Sequence, residues 1–370
     1  MYKLLDWIEK EKDKLEWQYL SKNPNAIHVL EKNQDRIKWT QLTLNPAAVH
    51  LLEQNTDKID WTRICENNNA IRLIERNMSK FDDLFQCNSL SANPNAIKLL
   101  EKYPEKINWF LLSQNVSATS IIEKNLDKID WTCLSVNTGT VSILEKNPDI
   151  IVWKYLSMNR NGVSILEKNI DKICWVKLSN NENALRILEK NPDKIIWYKM
   201  DWSKISTNKN SISFLEKHQD KICWYLLSSN PSYDAIRLLE KNQDKICWSY
   251  LSENPGAIEI LEHNQDKIIW SHLSKNPGAI RLLEKNQDKI DWYWLSRNPN
   301  ALHILEKNQD KLDKICWVEL SRNPGSFCYD YESMKQTKCG LHEELIQTMF
   351  HPKNMENFEG WGVDCGYEYE

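Results

Sequence analysis

Between Asn23 and Trp39 the chain reads NPNAIHVLEKNQDRIKW. Projected as a helix, Ala26, Ile27, Val29 and Leu30 fall on one arc of about 160°, with Asn25, His28 and Lys32 opposite. That spacing predicts a short amphipathic helix over roughly residues 24–32. The next stretch is less regular. Ile37 and Trp39 project about 160° apart, so a second helix through them is either buried on two sides or irregular. A two-residue apolar spacing can also read as strand.

The same pattern returns every 22 residues, as at Trp17, Trp39 and Trp61. About thirteen units run between Leu20 and Pro324. Pro24, Pro46, Pro94, Pro231, Pro255, Pro277, Pro299 and Pro324 share one phase, and Pro104, Pro148 and Pro192 share a second, ten residues on. Proline suits the first position of a helix and pushes the residue before it out of helical conformation. Asparagine is a strong N-cap. Each unit therefore predicts two short helices, with Asn33 ending one and capping the next. One copy, Asn77–Pro94, lacks the tryptophan, and a five-residue insertion separates Trp197 from Trp202. The stack is expected to kink at these places.

Neither helix reaches the ~12–15 residues needed for stability on its own, so the units must stack. The fold class this predicts is all-α, an α-solenoid with a cap at each end. Residues 1–16 form the N-terminal cap, 17–325 the repeats and 326–370 a C-terminal capping segment. With layers ~8–10 Å apart, it would extend on the order of 110 Å along a curved axis. Trp39, Trp61, Trp109, Trp131, Trp153, Trp175, Trp224, Trp248, Trp270, Trp292 and Trp317 are expected as structural wedges between layers. Each would bury on the order of 150–250 Å², its indole N–H meeting an Asn or Ser oxygen. A leucine-rich-repeat-like horseshoe is the rival fold.

Composition adds limits. The net charge of −4 gives no global attraction to nucleic acid or an anionic membrane. No apolar run approaches the ~18 residues a membrane helix needs, and the first residues lack a signal peptide's apolar core. The ten cysteines are read as reduced and intracellular. Cys174, Cys223, Cys247 and Cys316 precede repeat tryptophans where other units carry Asp, Lys, Asn or Ile, so they fill a position. Cys328, Cys339, His342, His351 and Cys365 contain only a loose zinc half-site, CGLH, and neither metal nor cofactor is expected.

The run LSxNPNAIxLLEKNxDKIDWxxL, across roughly residues 15–325, resembles a repeat family abundant in giant DNA viruses. The tail MFHPKNMENFEGWGV also resembles the ending such proteins carry. The resemblance implies a viral protein in the cytoplasm or virus factory of an infected cell, or in the virion. It implies no activity.

The glutamate at Glu31 recurs in every full unit, as at Glu53 and Glu75. A catalytic acid would occur once or twice. This one is expected to bond a helix end or pair with the following Asp-Lys lysine. A basic row beside it (His28, His50, Arg72, Lys98, Arg186, Arg237, Arg281, His303) has carboxylates interleaved and reads as a solvated face. No phosphate loop, nucleophile elbow or His-Glu-x-x-His motif appears, so the chain is read as no enzyme. In a repeat protein the variable positions are those the scaffold does not dictate. The second residue after the tryptophan is one, and late in the chain it becomes Tyr250, His272 and Trp294, with Tyr225 one place earlier in its unit. Tyr and Trp are favoured anchors of interfaces. The candidate partner-binding residues are Tyr225, Arg237, Tyr250, His272, Arg281, Trp294 and His303. The expected function is a non-catalytic scaffold or adaptor binding a host or viral protein. A self-associating virion component and a binder of nucleic-acid backbone are the alternatives, the latter disfavoured by charge.

Overall fold

A computed structural model describes residues 2–81, 88–195 and 197–335. It is an all-helical solenoid of short, regularly spaced helices. In the unit starting at Asn23, a 3₁₀ turn (Pro24–Ala26) leads into an α-helix (Ile27–Lys32). Another 3₁₀ turn (Gln34–Arg36) follows, then an α-helix from Trp39 to Leu42. Between the last two, Ile37 and Lys38 are extended, at φ/ψ of −61°/130° and −91°/91°. That break resolves the irregular spacing. Ile37 turns into the core from extended backbone, and Trp39 opens a new helix.

Asn33 does not cap the following turn. Its amide donates back to the Val29 carbonyl at 2.8 Å, closing the end of its own helix. The capping asparagine is the one before proline: Asn23 Oδ1 accepts the Asn25 N–H at 3.0 Å.

Successive units are joined by a buried polar ladder. Ser21 Oγ donates to the Trp17 carbonyl and accepts the N–H of Lys38 in the next unit at 2.9 Å. Asn45 Nδ2 donates to the Ser21 and Asn23 carbonyls of the preceding unit, both at 3.0 Å, while its Oδ1 accepts the Ala47 N–H. Both amide protons and the oxygen are thus used, as a buried amide requires. The phase comprises Asn23, Asn45, Asn67, Asn93, Asn115, Asn137, Asn159, Asn181, Asn208, Asn230, Asn254, Asn276, Asn298 and Asn323. All are buried except Asn208. There the five-residue insertion intervenes, and Asn208 keeps its cap to the Asn210 N–H but makes a single inter-unit bond, to the Glu182 carbonyl. The insertion's two tryptophans stack at 6.0 Å, and Asp201 N still reaches Ser179 Oγ. In the copy without a tryptophan, Phe81 takes the Ile37 phase, fully buried, with its ring edge-on to Trp61 at 5.5 Å.

The two ends meet. Leu5 occupies the phase of Ile27, and its N–H bonds to the carbonyl of Ser326, which occupies the phase of Ala26. The fourteenth unit is therefore assembled from both ends: Asn323–Ser326 supplies the lead-in, and residues 5–17 supply the helix Asp6–Lys10, the turn Lys12–Lys14 and the tryptophan. Beyond this crossing the ends run on as an antiparallel pair, β1 (Tyr2–Leu4) and β2 (Phe327–Tyr329). Leu4, Trp7, Ile8 and Phe327 are buried at this seam. Fourteen units thus form a closed ring rather than an open stack with two separate caps. The physical reason is that the end segments carry the repeat's own phase, so each end completes the other. Residues 336–370 of the expected C-terminal capping segment, with Cys339, His342, His351 and Cys365, lie outside the described residues.

The tryptophans are not fully interior wedges. Trp17 and Trp292 are buried; Trp39, Trp61, Trp109, Trp131, Trp153, Trp175, Trp224, Trp248, Trp270 and Trp317 are half-buried, packed on the core by one side. A lysine of the next unit covers the exposed side in many of them, as Lys58 lies 4.6 Å over Trp39 and Lys289 4.8 Å over Trp270. Among the described residues the indole N–H bonds neither Asn nor Ser; the serine four residues on takes the tryptophan's backbone carbonyl instead.

Candidate interaction surface

In the helix Trp17–Lys22, Trp17, Leu20 and Ser21 are buried, and Gln18, Tyr19 and Lys22 lie on the opposite arc. The same division holds in most units: the first, second and fifth residues after the repeat tryptophan (Trp202 in the unit with the insertion) face away from the core, Glu319 being a buried exception. When a two-layered stack bends into a ring, its inner layer must be the more closely spaced. The tryptophan helices of successive units approach each other closely, including Trp17–Lys22 against Trp317–Arg322 across the seam. The helices of the Ile27–Lys32 type are farther apart, bridged by long side chains such as Glu31 to His50 and Glu123 to Lys146. The tryptophan helices are therefore the inner layer, and these three positions line the opening. With fourteen inner helices spaced ~8–10 Å and half a helix of ~5–6 Å subtracted on each side, the opening is ~24–35 Å across.

The geometry divides the candidate residues. Tyr225, Tyr250, His272 and Trp294 lie on the inner wall, where the Tyr225 and Tyr250 rings are 5.7 Å apart. Glu253 reaches two side chains of the next unit: Lys275 Nζ is 2.6 Å from its carboxylate, and His272 Nδ1 lies at 3.0 Å without the alignment of a hydrogen bond. Lys275 then covers the Trp294 ring at 4.0 Å, and Tyr293 meets that ring edge-on. Arg237, Arg281 and His303 lie on outer-layer helices, on the far side of the wall. His303 pairs there with Glu284 at 2.9 Å. Seven residues that looked like one face in the sequence are two faces, because the two helices of a unit belong to different layers.

Several outer glutamates pair sideways with the next unit rather than with the Asp-Lys lysine, which in many units lies over a tryptophan instead. Glu31 accepts from His50 at 2.6 Å and from His28 at 3.1 Å. Partial burial works against its ionisation, yet the hydrogen bonds from His50 and His28 outweigh that and hold the carboxyl below its ordinary pKa.

The charge of the inner wall was missed in the sequence. At its three positions stand Lys22, Arg63, Lys154, Lys177, Lys204, Lys275, Arg297 and Arg322 against Glu66, Glu253 and Glu319, with no aspartate. Glu253 is held by Lys275, and buried Glu319 by Arg322 at 3.2 Å. A chain of net charge −4 thus turns a basic surface inward. The signal was the phase of these residues, which whole-chain charge averages away. The uncharged lining is mixed: Phe110 and Val136 are exposed, beside Leu111, Cys133 and Met158, while Gln41, Gln114 and Ser249 occupy the same positions in other units.

Comparison with protein-family models, curated proteins and solved structures returned no match. Among the described residues no helix is long and apolar enough to cross a membrane, and no cluster of three or more His, Cys, Asp or Glu could hold a metal ion.

Proposed function

We propose that this chain is a non-catalytic scaffold: a closed ring that presents its inner wall to a protein partner. One observation carries the reading. The positions that vary most in chemistry from unit to unit are the ones that line the opening, while the ladder and core positions repeat. Variable side chains on a rigid wall give specificity at little ordering cost. Tyr225, Tyr250 and Trp294 supply the kind of aromatic anchors that dominate interfaces. The resemblance of the repeat supports a place inside a virus-infected cell, with a host or viral partner.

The test is a photo-crosslinking amino acid placed at Tyr250 on the inner wall or at Arg237 on the outer layer, in infected cells. The expected result is one defined protein adduct from position 250 that is absent from position 237. Adducts from the outer position alone, or adducts only with further copies of the chain, would overturn the reading.

A further inference from the structure

We propose that the arc of inner wall spanning the seam, from Lys275 through Arg297 and Arg322 to Lys22, docks an acidic polypeptide segment of the partner. This rests on the scaffold reading above and names the chemistry that the wall would recognise.

Charge complementarity points to an anionic occupant. Four consecutive units carry a cation at the fifth position after the tryptophan; Lys275 and Arg322 are paired with Glu253 and Glu319, so Lys22 and Arg297 carry the arc's surplus positive charge. Lys22 and Arg297 are exposed. Desolvated ion pairs on such a surface steer and select partners of opposite charge.

The rings on the arc select peptide over single-stranded nucleic acid. A base needs a free aromatic face to stack on. Here the Trp294 face is covered by Lys275, and the Tyr19 face by Arg322 at 3.7 Å. Tyr293 sits edge-on against Trp294. The cations and the exposed Tyr293 phenol suit carboxylates flanked by apolar side chains. Three unit steps of ~8–10 Å span ~25–30 Å, the length of about eight or nine extended residues.

The arc crosses the seam, so an occupant would also tie the two ends together. Lys275, Arg297 and Arg322 belong to the last units, and Lys22 to the first.

The probes are labelled decapeptides alternating Glu with Phe or Leu, the same peptide with Lys for Glu, and oligo(dT), titrated into the full chain and read by fluorescence anisotropy. The acidic peptide is expected to bind, and to weaken at least tenfold with Lys22→Glu/Arg297→Glu. Lys307→Glu on the outer layer should leave it unchanged, and Lys22→Arg/Arg297→Lys should preserve it. Binding should slow amide exchange at Tyr2–Leu4. If charge reversal lowers the melting temperature, Lys22→Gln/Arg297→Gln replaces it, with the same direction expected. No binding of the acidic peptide, or binding indifferent to these changes, overturns the proposal. So does oligo(dT) binding that the same reversals abolish. Should the acidic peptide fail while position 250 still crosslinks a partner, the acidic-segment assignment falls and the scaffold stands.

Discussion

Ser321 accepts the backbone N–H of Glu16 through its Oγ at 2.9 Å, across 305 residues of sequence. It is the bond that Ser21 makes to Lys38 within the chain. The other junction contacts recur at the same place. Asn23 Nδ2 reaches the Ser321 carbonyl as Asn45 reaches that of Ser21, and Lys14 lies over Trp317 as Lys58 lies over Trp39. The seam is thus an ordinary junction without a peptide bond. Asn23 makes one inter-unit bond where Asn45 makes two, but Asn230 and Asn323 also make one at junctions within the chain. The β1–β2 pair, which no other junction has among the described residues, and the stacked rings of Tyr2 and Tyr329, 4.9 Å apart, add to the seam.

Closure can be tested covalently. Tyr2 and Tyr329 face each other, and the neighbouring Leu5 N–H to Ser326 carbonyl bond places them at a non-hydrogen-bonded pair, where Cα atoms lie ~4.5 Å apart and a disulfide fits. Tyr2→Cys/Tyr329→Cys should form an intramolecular disulfide on mild oxidation, seen as a mobility shift on a non-reducing gel. Closing so long a loop should add up to about 5 kcal/mol of stability. Only intermolecular disulfides, or none, would mean that the ends do not meet in solution.

The ladder makes a second prediction. Asn159 is buried and donates to the Ser135 and Asn137 carbonyls at 3.1 and 3.0 Å. Asn159→Ala would leave both carbonyls short of these donors, at a cost of ~2–4 kcal/mol in denaturant unfolding. Asn69, exposed, makes one inter-unit bond to the Pro46 carbonyl at 2.9 Å, and Asn69→Ala should cost less than ~1 kcal/mol. Equal losses at the two positions would count against a buried ladder as the main tie between units.

Tryptophan and lysine should be coupled. A double-mutant cycle on Trp39→Leu and Lys58→Met should give a coupling of ~0.5–1 kcal/mol, as expected for a cation over a half-exposed ring. A cycle that closes to zero would make the lysine a bystander. Trp131→Ala should cost ~2–3 kcal/mol, below the ~3–5 kcal/mol of a fully buried ring, because one side of the indole is already outside the core.

The period, the helical class and the need for stacking were legible in the sequence, because short amphipathic helices with proline starts leave few alternatives. So was the separateness of Tyr250, His272 and Trp294 from the scaffold positions. Three things were not legible. A half-buried tryptophan and a buried one leave the same mark on a hydrophobic pattern, so Trp39 read as interior. Closure depends on the curvature per unit, a small angle summed fourteen times, which no single unit encodes. The layer to which each helix belongs follows from that curvature, which is why Arg237 and Arg281 were grouped with Tyr250 although a wall separates them.

The outer carboxylates give a pH test at Glu31. Its pKa is held below the ordinary carboxylate value in the folded chain, so its contribution to stability is present above the unfolded value near 4.5 and is lost as pH falls through the lower folded value. Wild type and Glu31→Gln should therefore differ in unfolding midpoint at pH 5, and the gap should shrink as pH falls below about 4.5. The gap will be small, since the carboxylate is partly exposed and solvent screens the pair. His50→Gln should remove most of it by taking away the donor in the next unit, whereas His28→Gln should remove less, because the 3.1 Å contact lies within one helix and does not join two units. If the two histidine variants prove equal, Glu31 is not acting between units, and the outer layer is held by its apolar face alone.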